Sequence, residues 1–139
     1  METALTLETF ISLILALLFG AIVGVERERT HKPAGLRTHM LVSLGSCLFT
    51  IVSISFSLDP ARIAAGIVAG IGFIGAGTIW AEKDKIQGIT TAASLWATAA
   101  VGLTTAIGDY PLAGFVTLLV VLTLFSKAIL RRLGLEKHE

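Results

Sequence analysis

The residues able to do chemistry in this chain fall into a few short segments. One is Glu26-Arg27-Glu28-Arg29, a second is Arg37-Thr38-His39, and a third joins Thr90 and Thr91 to Trp96; Asp59 and Arg62 form a sparser pair. From His39 onward, Ser43, Ser46, Thr50, Ser53 and Ser57 recur at intervals of four, three, four, three and four. That spacing places them on one face of a helix. The serines have no evident base, because His39 lies one turn from Ser43 on the same helix and no carboxylate is positioned to orient it. His31, His39 and His138 lack metal-ligand spacing. Magnesium would want oxygen ligands and several retained waters, which Glu26 with Thr90 or Thr91 could supply only as a loose outer-sphere site. The sequence offers no catalytic set, and the expectation is a non-enzymatic protein without a resident cofactor.

Gly70-Ile71-Gly72-Phe73-Ile74-Gly75 is a literal G-x-G-x-x-G. A dinucleotide fingerprint works because a strand turns tightly into a helix whose N-terminus meets pyrophosphate. Here the glycines stand inside an uninterrupted apolar run with no strand before them. They read instead as packing surface.

The elements that hold these residues are set by composition. Of 139 residues, 54% are hydrophobic and 15% charged, with a mean hydropathy of +0.82. An ordinary soluble domain carries about a quarter charged residues. The charges are bunched, and between the bunches lie apolar runs near the ~20 residues needed to cross a ~30 Å hydrocarbon core. Five spans are expected, over about 5–25, 40–58, 63–81, 89–107 and 112–130. Met1–Leu7 carries no basic residue, only Glu2, so the first span reads as a retained helix rather than a signal peptide. The single cysteine, Cys47, excludes an intramolecular disulfide and reads as a small buried apolar residue.

Charge orients the bundle. Lys and Arg in alternate segments divide ten against one, which by the positive-inside rule puts the N-terminus outside and the C-terminus in the cytoplasm. The expected architecture is therefore an all-α integral membrane bundle of five helices, one domain over 1–139. With up-down connectivity Glu26, Arg27, Glu28, Arg37, Thr38, His39, Thr90, Thr91 and Trp96 share the cytoplasmic face, and Asp59 and Arg62 the outer one. Glu26 is expected to pair with Arg37, or to accept from Thr90, Thr91 and the free N–H groups opening the fourth helix. Trp80 reads as a headgroup-level belt residue. The net charge of +1 points to no nucleic-acid partner, and the basic residues face anionic lipid.

In lipid, helices associate by close backbone approach across small residues. Gly20 and Gly24 follow Ala16 at four-residue spacing. On the third helix Ala65, Ala69, Gly72 and Ala76 make one stripe flanked by Gly66, Gly70, Gly75 and Gly77. The short link from 59 to 62 places the hydroxyl stripe beside this face. These faces are expected to pack the bundle and to serve homodimerisation.

Four segments now combine: Gly20-AIVGVERE, Pro33-AGLRTHMLVSLG, Asp59-PARIAAGIVAGIGFIGAG and Gly88-ITTAASLWATAAVGL. In order and spacing, over about residues 16–108, they resemble the membrane domain of the MgtC/SapB family. The resemblance implies a bacterial inner-membrane protein associated with growth and survival in low magnesium. It implies action through other membrane proteins, such as the proton-translocating ATP synthase or transport proteins; the alternative is a magnesium or other cation transporter or channel subunit. It points to Glu26, Arg27, Glu28, Arg37, Thr38, His39, Asp59, Arg62, Thr90, Thr91 and Trp96 as the residues to watch. Gln87 and Ile89 stand where Arg and Leu are more usual. Many members continue into a cytoplasmic regulatory domain, whereas this sequence runs to Glu139, so it resembles a short form.

Overall fold

The computed structural model describes residues 6–55, 59–83 and 85–132. Five helices follow in order: α1 (Leu7–Arg29), α2 (Leu36–Ser55), α3 (Pro60–Ala76), α4 (Ile89–Ala106) and α5 (Tyr110–Arg132). A two-stranded antiparallel hairpin, β1 (Trp80–Glu82) and β2 (Lys85–Gln87), joins α3 to α4.

The helix starts follow from capping chemistry. Thr6 accepts from the Thr9 N–H at the head of α1, and Asp59 accepts from the Ala61 N–H at the head of α3, with Pro60 at the first helical position. Glu28, on the last turn of α1, reaches across the link and accepts from the Leu36 N–H at 2.9 Å. It thereby serves α2 as an N-terminal acceptor supplied by the preceding helix.

The third span differs from expectation. The run 63–81 was expected as one helix, but α3 stops at Ala76. Gly75 and Gly77 are poor helix formers, and Thr78 turns its hydroxyl onto the Gly75 carbonyl at 2.7 Å. Trp80 consequently sits in β1 and not on a helix end. Lys83 (φ 52°) turns the hairpin, and Gly88 (φ 89°) leads into α4. A side chain on Gly88 would also collide with the Thr78 carbonyl, so only glycine fits there.

α1, α2 and α4 pack against one another as the centre of the bundle. α5 covers α1 and α4, while α3 leans mainly on α4 and touches α2 less. The backbones come close where glycine permits. A Cβ on Gly20 would lie 2.6 Å from the His39 carbonyl oxygen, and one on Gly24 2.7 Å from the Leu36 Cα. Gly102 of α4 presses on the Ser43 carbonyl of α2 in the same way. α2 is thus pinched between α1 and α4.

The polarity of the bundle is inverted. Its interior holds Ser12, His39, Ser43, Ser46, Thr50, Ser53, Thr91, Ser94, Thr98 and Thr105, whereas Leu7, Leu41, Phe49 and Phe73 stand outside, Phe73 at 86% exposure. Among the described residues two helices, α1 and α2, are long and apolar enough to cross a membrane, and Ala61–Ala76 and Tyr110–Ser126 are shorter apolar helices. The G-x-G-x-x-G lies wholly inside α3, with no strand before it among the described residues.

Candidate functional site

The polar cluster expected at one end of the bundle resolves into three separate arrangements. In the first, Arg27 Nε–H donates to Glu26 Oε2, with both side chains buried. Consecutive helical residues point about 100° apart, so the Arg27 stem must fold back to reach its neighbour. Glu26 therefore pairs with Arg27 and not with Arg37. The expected bonds from Thr90 and Thr91 to Glu26 are also not formed. Thr90 is exposed on α4 and Thr91 is buried. The loose magnesium site drawn from Glu26, Thr90 and Thr91 thus has its carboxylate already engaged by a guanidinium. Among the described residues, no three His, Cys, Asp or Glu side chains come together.

The second arrangement is a hydrogen-bonded line through the centre. His39 is fully buried. Its Nδ1 lies 2.9 Å from the Gly35 carbonyl oxygen and its Nε2 3.0 Å from Ser94 Oγ, which lies 2.8 Å from the Thr91 carbonyl oxygen. Ser94 did not stand out in the sequence, yet it ties α2 to α4. Its signal was available: Thr91, Ser94, Thr98 and Thr105 recur at helical spacing on α4 and are all buried.

In the hydroxyl stripe of α2, His39 and Ser43 face α1 and α4 and not α3 as the short link suggested, while Ser46 lines the groove toward α3. Ser43 lies against Gly20 on one side and Gly102 on the other. Thr50 donates to the Ser46 carbonyl at 2.8 Å, and on α4 Thr98 and Thr105 donate to Ser94 and Val101. Such bonding back to the preceding turn satisfies a hydroxyl without a partner helix. Ser43 and Ser53 are not satisfied in this way. Each is buried with its hydroxyl unpartnered. Ser57 lies outside the described residues.

The third arrangement is a groove between α2 and α3 of about 930 Å³, with Arg37 and Thr38 in its lining. It exists because the expected packing face of α3 is not used inside the chain. Gly66, Gly70 and Gly72 meet nothing within 4 Å, and of the expected α3 glycines only Gly75 touches another helix, 3.3 Å from the Ala92 Cβ for an added methyl. Gly77 meets only the Ile74 carbonyl of its own helix. Ala65, Ala69, Gly72 and Ala76 are exposed. Trp96 stands outward on α4 at 52% exposure. On the opposite end, Asp59 acts as the α3 cap at 3.0 Å from the Ala61 N–H, and Arg62 is exposed without an ion pair among the described residues. There Ser12 Oγ lies 3.0 Å from the Tyr110 hydroxyl, joining α1 to α5.

Comparison with known proteins gives a consistent assignment. The MgtC family profile matches residues 13–133. YhiD of Escherichia coli K12, provisionally described as a magnesium transporter, is 44% identical over 146 residues, covering 96% of this chain and 68% of YhiD. Protein MgtC of Salmonella typhimurium LT2 is 40% identical over 121 residues, covering 86% of this chain and 52% of MgtC. Protein SapB of Bacillus subtilis 168 is 38% identical over 143 residues, covering 94% and 61%. The chain thus spans about half the length of MgtC. No solved structure matches it.

Proposed function

Because the chain belongs to the MgtC family, we propose that it is a multi-pass protein of the bacterial inner membrane that acts in adaptation to low magnesium by binding and modulating other membrane proteins. The inverted polarity of the bundle supports the membrane setting, since apolar side chains all round the outside suit a lipid solvent and backbone groups are satisfied within helices. α1 and α2 qualify as spans by length and hydropathy. α3, α4 and α5 complete a five-span reading with the N-terminus outside, supported by the ten-to-one division of Lys and Arg.

The observation that carries the partner-binding reading is the uncovered face of α3. Ala65, Ala69, Gly72 and Ala76 form a smooth exposed stripe, the kind of surface on which a helix of another membrane protein approaches closely. The buried acid next to the core, Glu26, is neutralised by Arg27, so among the described residues the interior offers no free carboxylate to a divalent cation. Growth of a magnesium-limited strain depending on this protein tests the reading. Gly72→Leu, at unchanged membrane level, is expected to abolish the growth benefit; full benefit from that variant would contradict it.

One observation favours a second reading, that of a magnesium or other cation transporter. Ser43 and Ser53 hold buried hydroxyls without partners, which ordered water would satisfy. A hydrated seam along α2 is what a pore lined by hydroxyls would use. The description of YhiD points the same way.

A further inference from the structure

The groove between α2 and α3 is chemically one-ended. Arg37 is the one charged residue in its lining among the described residues and is exposed at the mouth, with Thr38 beside it. Away from that end the walls are apolar but for Ser46, ending near Phe49 on α2 and Ile63 on α3. Its floor lies over Gly66 and Gly70, where no side chain fills the space.

Its length selects the occupant. From Arg37 to Phe49 the helix rises roughly 18 Å, at 1.5 Å per residue. One leaflet of a ~30 Å hydrocarbon core is about 15 Å deep. The groove therefore fits a molecule that spans one leaflet and carries its charge at the interface. The volume of about 930 Å³ is at the upper end of the ~300–1,000 Å³ of small-molecule pockets, room for an acyl chain. The Arg37 end is also the end of Arg27, Arg29 and Lys32, the basic side of the bundle, which faces the leaflet rich in anionic lipid.

We propose that this groove is a binding site for an anionic phospholipid, its phosphate held by Arg37 and Thr38 and an acyl chain lying over Gly66 and Gly70. The inference rests on the membrane setting of the reading above, but not on the partner-binding face, which lies elsewhere on α3.

The test uses the full chain purified in mild detergent, stripped of lipid and offered phosphatidylglycerol or phosphatidylcholine with identical oleoyl chains, with retained lipid read by native mass spectrometry. One phosphatidylglycerol is expected to be retained per chain in preference to phosphatidylcholine. Arg37→Gln is expected to lower phosphatidylglycerol retention about fivefold, the factor carried by one basic residue at an anionic surface, and to leave phosphatidylcholine unchanged. Gly70→Leu, or Gly66→Leu should the first not fold, is expected to remove both, while Gly72→Leu retains them. Equal retention of the two lipids, indifference to Arg37→Gln, or retention by a helical, monodisperse Gly70→Leu chain would overturn the proposal. So would a dimer that Gly70→Leu dissociates in place of a lost lipid, since the occupant would then be a second copy. Alkaline carbonate extraction separates the two readings: release of the chain into the wash defeats the membrane setting itself, whereas a carbonate-resistant chain with no lipid preference defeats the lipid site alone.

Discussion

His39 Nε2 lies 3.0 Å from Ser94 Oγ, joining α2 to α4 at the buried centre of the bundle. The other ring nitrogen faces the Gly35 carbonyl oxygen at 2.9 Å. A carbonyl can only accept, so Nδ1 carries the hydrogen and Nε2 of the neutral ring accepts from Ser94. Ser94 also lies 2.8 Å from the Thr91 carbonyl oxygen, so its single proton serves two acceptors. The ring is thus a structural strut whose partners come from both helices. His39→Ala removes the strut and leaves a void, for an expected loss of ~2–4 kcal/mol. Ser94→Ala removes the shared hydroxyl but almost no volume, for about 1–2 kcal/mol. Thermal unfolding in detergent ranks the two, and equal losses would contradict this geometry.

The glycines divide by what stands opposite them. Gly102→Ala drives a methyl into the Ser43 carbonyl, which is backbone and cannot turn aside; a loss of ~1–3 kcal/mol is expected. Gly66→Ala and Gly70→Ala meet nothing within 4 Å and gain helix propensity, for a stabilisation of about 0.5–1 kcal/mol each. Opposite signs in the same melting experiment are the expected result, and a shared sign would refute the packing described for α4 or for α3.

Glu26 and Arg27 are buried together, with side-chain exposures of 6% and 4%. Removing either partner strands the other's charge out of water, and Glu26→Gln or Arg27→Met alone is expected to cost ~3–5 kcal/mol. The double variant should lose less than the worse single one, because no unpaired charge remains. Additive losses in that cycle would mean that the two groups act separately.

Glu28 is exposed, yet its carboxylate accepts from the Leu36 N–H at the head of α2. Glu28→Ala is expected to lower stability by about 1 kcal/mol, the ordinary value of a lost N-terminal cap. Faster amide exchange at Leu36 is the specific sign. Unchanged exchange there would remove Glu28 from this role.

Helix content was legible because apolar runs bounded by charge leave few alternatives, and α4 and α5 lie close to where hydropathy put them. The hairpin was not. Trp80-Ala81-Glu82 and Lys85-Ile86-Gln87 are too short for a periodicity to register, and the apolar count of 63–81 ran on past the Gly75–Gly77 stop. Small-residue spacing identified close approach correctly at Gly20 and Gly24, where α2 lies opposite. The same spacing on α3 misled, because it records that a helix can be approached and not which neighbour does so. The Glu26–Arg37 pairing failed for a related reason. Sequence position gave both residues the same end of the bundle, but α2 turns Arg37 toward α3 and leaves Arg27 to neutralise the acid.

The central claim, modulation of partners rather than passage of magnesium, is tested most directly by cation flux into liposomes carrying the purified chain, with folding verified in the same vesicles. The account expects no saturable magnesium entry above protein-free liposomes, with or without a magnesium gradient, and no change on Ser43→Ala or Ser53→Ala. Saturable magnesium flux that either substitution reduces would contradict it and make the hydroxyl seam a conduction path.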